Sequence, residues 1–257
     1  MIARITINDL QAIEVDLNQP IDISIPIKEG SNNPNCYWAE PVKFETIRSD
    51  GFVGSVAEGG SVNYQKLTIT PHGNGTHIEC YGHISNSGAT IFSQLKSYHF
   101  YAKLITLSPE KVANGDQVIK LTPEIEKENW NDVKALIIRT TPNNENKRTR
   151  SYSGKNPAYL SEELIRFIVK KGIEHLLIDL PSLDKEVDGG ALMAHKAFWG
   201  FPNGIRKYAT VTELIFVRND IPDANYLLNL QTIGLEMDAA PCKPTLYSIQ
   251  KLITLNS

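Results

Sequence analysis

Cysteine is scarce in this sequence: Cys36, Cys80 and Cys242 are an odd number, lie far apart and form no Cys-x-x-Cys pair. That excludes a disulfide framework and a thiolate zinc cage, and makes a reducing, cytoplasmic setting the expectation. Long apolar runs are missing as well. No stretch reaches the roughly 18 uninterrupted apolar residues of a membrane span. Met1 to Leu17 alternates polar and apolar side chains where an export signal would carry an apolar block. Neither sign of charge is in large excess: 26 Lys and Arg against 29 Asp and Glu leave a net −3. Such a balance gives no broad electrostatic footprint for a nucleic-acid backbone or an anionic membrane. Internal repeats and low-complexity segments are absent too. What remains is ordinary globular composition, 41% hydrophobic and 21% charged over 257 residues, enough to bury a sizeable core as one domain spanning residues 1–257.

Patterning favours strands over helices. Ile5–Ile7 and Ala12–Leu17 alternate around an Asn8-Asp9 hairpin signal, and Asp22–Ile27 continues the alternation to Pro26. Lys66–Thr70 is a further alternating run that delivers the chain to the glycine-rich segment Pro71–Gly75. Val133–Arg139 and His175–Leu180 have the continuous apolar character of buried strands. Between them lies the clearest helix: Ser161 as N-cap, Glu162 and Glu163 at the positive end of the dipole, and Leu164, Ile165 and Ile168 as the apolar stripe. Lys170, Lys171 and the stop at Gly172 complete it. The three together predict a β-α-β unit. Ala209–Val217 and Tyr226–Met237 read as strands again, so the expected class is α/β, mixed and β-rich. Thr141–Tyr159, rich in Asn, Lys, Arg and Ser, reads as a solvated surface loop or as a lid over a site.

Three of the six histidines fall within twelve residues, from His72 to His83. If Thr76–His83 is extended, His77, Glu79, Tyr81 and His83 share one face of the sheet, while Ile78, Cys80 and Gly82 share the other. Cys80 is thereby assigned to packing. His72 has the wrong parity for a regular strand, but Gly73-Asn74-Gly75 permits a bulge that returns it to the cluster. Neutral imidazoles with a carboxylate suit a borderline divalent cation, Zn²⁺ or Mn²⁺. A cation with an open coordination position acidifies water and polarises a carbonyl, and an uncoordinated histidine can shuttle the proton. The competing interpretation is a hydrogen-bonded polar cluster without metal.

The segment resembles the signature His-x-Gly-Thr-His-x-Asp-x-Pro-x-His of the cyclase family of metal-dependent hydrolases, which includes kynurenine formamidase and isatin hydrolase. Gly75-Thr76-His77, Glu79 and His83 match in register. Asp22-Ile-Ser-Ile-Pro26, Ile178-Asp-Leu-Pro-Ser-Leu-Asp184 and Ala240-Pro241 extend the similarity along most of the chain. The resemblance implies a swivelling β/β/α single domain. It also implies one or two divalent ions held by His72, His77, Glu79, His195 and Glu213, with His83 as the catalytic histidine. His195 and Glu213 rest on the match alone. Three departures stand out: Glu79 replaces Asp, Tyr81 replaces Pro, and the first histidine falls at His72 where the family register would put it at Gly73. A Gly-Asn-Gly bulge and a longer carboxylate would compensate one another.

The activity implied is hydrolysis of a carbon–nitrogen bond in a small amide, formamide or cyclic amide, by a kynurenine formamidase-like enzyme acting on a small-molecule substrate as a homodimer or homotetramer. A cyclase or lyase that stabilises an enolate, and a metal- or ligand-binding module without catalysis, are the alternatives. Trp38 lies in a loop where the family places aromatic substrate contacts, with core packing the other reading. Ser182 and Asp184 read as turn residues that orient a ligand histidine. His99 reads as structural among aromatics, and His175, at a helix-to-strand turn, as solvent-exposed.

Overall fold

The computed structural model describes residues 1–255. At its centre are four parallel strands, side by side in the order His99–Leu107, Ala135–Thr140, His175–Ile178 and Thr210–Glu213. All six residues of Ala135–Thr140 and all four of His175–Ile178 are buried, which is why both read as continuous apolar runs: a parallel strand covered on two faces has no solvent side to mark. Antiparallel strands extend the sheet both ways. Beyond Thr210–Glu213 come His77–Glu79 and then Ala239–Pro241. On the opposite flank lie Asn225–Asn229, Thr245–Thr254 and the N-terminal hairpin Ile2–Asn8/Gln11–Asp16, which turns where Asn8-Asp9 signalled it.

Side-chain parity divides the interior in two. Leu136, Ile138, Leu176 and Ile178 point toward Leu164, Ile165 and Ile168 of the helix Glu162–Lys170 and toward Phe198 and Trp199 of the helix Met193–Trp199. Ala135, Ile137 and Leu177 point the other way, into a second core with Ile78, Cys80 and Ile91. The β-α-β unit has its expected capping: Ser161 Oγ accepts from Leu164 N at 3.2 Å, and Gly172 takes φ +79° after the last turn. The result is the mixed, strand-rich α/β domain expected. No helix among the described residues is long and apolar enough to cross a membrane.

Several expected strands are shorter than their patterning, each for a local reason. The run from Asp22 narrows to Ile21–Asp22 because the Asp22 carboxylate accepts from both Ser24 N and Ser24 Oγ, turning the chain. Thr210–Glu213 stops at Leu214, which adopts φ +54°, and Tyr226–Met237 contributes only Asn225–Asn229. Lys66–Thr70 is represented by Gln65–Thr68, outside the main sheet in a ribbon with Lys43–Thr46.

The strand expected over Thr76–His83 ends at Glu79, and Tyr81–Ile84 form a tight 3-10 turn. That turn needs Gly82, where a β-carbon would stand 2.0 Å from the Ala89 carbonyl oxygen. Thr141–Tyr159 is only partly the solvated loop expected: Pro142, Asn144–Asn146 and Gly154–Asn156 are exposed, but the segment is anchored. It buries Asn143, Lys147 and Tyr152, and Lys147 Nζ reaches Asp179 Oδ2 at 2.8 Å and the Thr140 carbonyl at 2.7 Å.

Candidate metal centre

The strand His77–Glu79 is hydrogen-bonded on both sides, with His77 opposite Glu213 and Glu79 opposite Val211 and Ala239. Thr76 secures the approach: its hydroxyl accepts from Ile25 N at 2.9 Å and donates to the Leu214 carbonyl at 2.6 Å. The centre thus forms at the carboxyl end of the outermost parallel strand, where open α/β sheets place their ligands.

His77 Nδ1 lies 2.9 Å from the Gly75 carbonyl. A carbonyl can only accept, so the proton sits on Nδ1 and Nε2 is aimed at Glu213 Oε2, 3.4 Å away. His195 repeats the arrangement. Its Nδ1 donates to Asp184 Oδ2 at 2.6 Å, and its Nε2 faces Glu79 Oε1 at 3.1 Å and Glu213 Oε1 at 3.6 Å. Asp184 also accepts from the backbone of Ala194 and His195 at the start of the helix Met193–Trp199, so one carboxylate fixes both the ring and the helix end. This is the orienting role expected of Asp184. Ser182 Oγ accepts from Asp184 N at 3.1 Å and shapes that turn.

Across Glu79, on its second oxygen, stand His72 and His83. Glu79 Oε2 is 3.6 Å from His72 Nε2 and 3.8 Å from His83 Nδ1, and the two rings stack with centroids 4.5 Å apart. Asp238 Oδ2 lies 2.9 Å from His72 Nε2 and 3.3 Å from His83 Nδ1. Two donor sets result, His77 with Glu79 and Glu213, and His72 with Glu79 and His83; within each, one donor atom per residue lies within 4.8 Å of the others. Glu79 belongs to both. The geometry therefore groups His77 with Glu213 and His195, and brings His72 together with His83.

The donor chemistry fits a cation. His77 Nε2 and Glu213 Oε1 are buried without a hydrogen-bond partner among the described residues, as is His72 Nε2. Lone pairs of imidazole and carboxylate facing each other in a dry interior repel unless a proton or a cation lies between them. Burial opposes charge on His77 and His195, yet Glu213 raises the first, and Asp184, Glu213 and Glu79 raise the second well above the usual imidazole range. Burial likewise opposes ionisation of Glu79, but His83 and His195 hold it down to about 2. Asp238 is held far below the carboxylate range by His72 and His83.

All six metal and catalytic candidates meet here. His83 arrives differently from expectation, carried by the 3-10 turn rather than by an extended strand; Tyr81 is packed into the helix-side core instead of joining the cluster. Trp38 does not line the site. It is 71% exposed, and its neighbour Tyr37 is on the wall of the adjoining cavity of about 200 Å³, together with His72, Glu79, His83, His195 and Glu213. Tyr37 and Trp38 both have φ near +55° (55° and 53°), an uncommon conformation that turns Tyr37 inward while Trp38 N donates to Ser153 Oγ.

His99 Nε2 contacts Asn229 Nδ2 at the sheet flank, away from the centre. His175, expected at the surface, is buried: it opens its strand, its Nδ1 meets Thr210 Oγ1 at 2.8 Å and its ring packs on Phe100. The sequence reading missed Asp238 and Tyr37. Asp238 has no local signal, since only the pairing of Ala239–Pro241 with His77–Glu79 delivers it.

The cyclase family model, described as “Putative cyclase”, matches residues 15–185. Kynurenine formamidase of Bacillus thuringiensis (strain Al Hakam) is 29% identical over 231 residues, covering 89% of this chain and 97% of the relative. The kynurenine formamidase of Bacillus mycoides (strain KBAB4) is 28% identical over 234 residues, covering 90% and 99%. Among solved structures, isatin hydrolase A from Labrenzia aggregata superposes with a TM-score of 0.64 at 12% identity, covering 90% of this chain and 94% of the other. A potential metal-dependent hydrolase with cyclase activity superposes at 0.61 with 20% identity, covering 91% and 99%.

Proposed function

The chain belongs to the cyclase family, and on that footing we propose that it is a metal-dependent hydrolase of a carbon–nitrogen bond in a small amide, formamide or cyclic amide. The observation that carries the proposal is the pair of donor sets sharing Glu79, with His77 Nε2 and Glu213 Oε1 buried and unpartnered, beside a cavity of small-molecule size. His77, Glu79, Glu213 and His195 would hold one divalent cation, Zn²⁺ or Mn²⁺, and His72 with Glu79 a second. Such a cation, when bound, supplies Lewis acidity toward a carbonyl oxygen and acidifies water.

The remaining work falls to side chains of the chain itself. His83 is one-third exposed at the cavity, with Nδ1 turned toward Asp238 and Glu79. Its other nitrogen is thereby available to take a proton from the attacking water and return it to the departing nitrogen. Asp238 orients that ring. Tyr37, on the cavity wall though 45% exposed, is a phenol that stays protonated at neutral pH and so offers a donor to a polar group of the substrate. The names of the curated relatives support a formamide substrate.

The test is His83→Ala, assayed for metal content and for turnover of N-formyl arylamines and cyclic amides. Unchanged metal stoichiometry with turnover lowered about 10²–10⁴-fold is the expected result. Undiminished turnover would refute the role of His83; loss of an ion would make it a ligand instead.

A further inference from the structure

A second cleft lies beside the metal centre, at the carboxyl ends of Ala135–Thr140 and His175–Ile178. It has a volume of about 180 Å³ and shares no lining residue with the catalytic cavity. Its charge is one-sided: Lys147, Arg150 and Lys155 line it, and no Asp or Glu does.

Lys147 is committed. Its three donors go to Asp179 Oδ2, the Thr140 carbonyl and Thr140 Oγ1 at 2.7–3.0 Å. Arg150 and Lys155 are not committed to any anion: neither forms an ion pair among the described residues, and the Arg150 guanidinium hydrogen-bonds only the neutral Asn146 side chain. That guanidinium also lies 5.5 Å from the centre of the Tyr152 ring, which holds it in place. Tyr152 is itself a cleft residue, 3% exposed, and its hydroxyl is buried with no partner. A buried hydroxyl left unsatisfied on a residue of the cleft wall calls for a partner. The rest of the wall combines an apolar part, Pro109, Pro142, Pro157, Ala158 and Leu180, with the neutral polar side chains Gln117, Thr140, Thr141 and Asn156. Inorganic phosphate would leave the prolines, Ala158 and Leu180 uncovered, whereas an anion with an apolar body covers them.

We infer that this cleft binds a small organic carboxylate, its oxygens on Arg150 and Lys155 and its apolar body among the prolines and Leu180. The planar guanidinium fork suits a carboxylate in two-point contact. The site is mechanically next to the catalytic cavity, because Glu186 on that cavity's rim accepts from the backbone of Gly154 and Asn156, on either side of Lys155.

Calorimetric titration of the full-length, metal-loaded protein with benzoate, and in parallel with inorganic phosphate, tests the assignment. Benzoate should bind saturably, and the Arg150→Gln/Lys155→Gln double variant should bind it at least tenfold more weakly with unchanged metal content. Both side chains are partly or fully exposed, so the variant retains its fold. Benzoate binding that persists in the double variant, absence of saturation, or saturation by phosphate alone would each overturn the inference.

Discussion

Replacing Asp184 with Asn changes a single atom type, yet should weaken cation binding strongly. Asp184 Oδ2 accepts both from His195 Nδ1, at 2.6 Å, and from His195 N, at 3.0 Å, while Oδ1 accepts from Ala194 N at 2.7 Å. An amide NH₂ in place of Oδ2 confronts two donors with a third. The imidazole can relieve this by moving its proton from Nδ1 to Nε2, but Nε2 is the atom that faces Glu79 and Glu213. A proton there removes His195 as a ligand. The alternative, an inverted amide, forfeits the bond to Ala194 N. Either way one charge-assisted hydrogen bond is lost, worth about 1.5–3 kcal/mol, which corresponds to roughly 10–100-fold in cation affinity. Equilibrium competition against a chromophoric chelator measures this without any substrate, and circular dichroism reports whether the fold is kept. A folded Asp184→Asn protein binding metal within twofold of the parent would refute the claim that Asp184 sets the His195 proton.

Two further substitutions test the interior. Lys147→Met strands the Asp179 carboxylate, which is buried with Lys147 in a 2.8 Å pair, and should cost about 3–5 kcal/mol in urea unfolding; a cost below about 1 kcal/mol would show that the pair is solvated. Because burial already raises the Asp179 pKa, the deficit of that variant should shrink as the pH falls. His175 provides a pH signature of its own: burial, with Arg206 and Lys134 nearby, depresses its pKa to about 3. Above about pH 6.5 both folded and unfolded states carry it neutral and it contributes nothing to the pH dependence. Below that the unfolded chain takes up a proton that the folded chain refuses, so stability falls, by about 2 kcal/mol at pH 5. His175→Gln should remove that part of the acid sensitivity, and an unaltered stability profile would count against the buried neutral ring.

The β-α-β unit was legible because each of its signals is local and repeated: a buried run, a capped amphipathic helix, a second buried run. Glu79 and His77 were legible for the same reason, since alternation along three residues sufficed to put them together. His83 was assigned to the cluster by an extension of that alternation which the chain does not follow; a glycine turn governed by the distant Ala89 carbonyl brings it there instead. Asp238 and the burial of His175 depend on which strands become neighbours, and composition carries no trace of that. The polar segment after Thr140 is solvated along much of its length, as Asn, Lys and Ser favour on average; its anchor was hidden because Lys147 has a buried carboxylate as its specific partner.

The position of Gly73 bears on how such a centre can change over evolutionary time. A β-carbon there would stand 2.3 Å from the Ala39 β-carbon and 3.2 Å from the Cys36 carbonyl oxygen, so a histidine at 73 needs both the Ala39 side chain and the Cys36 backbone to give way. Any route from a histidine at 72 to one at 73 therefore passes through residues 36–39, in a different loop. Histidine at 72, glycine at 73 and alanine at 39 are sterically coupled, and exchanges among them are expected to be non-additive.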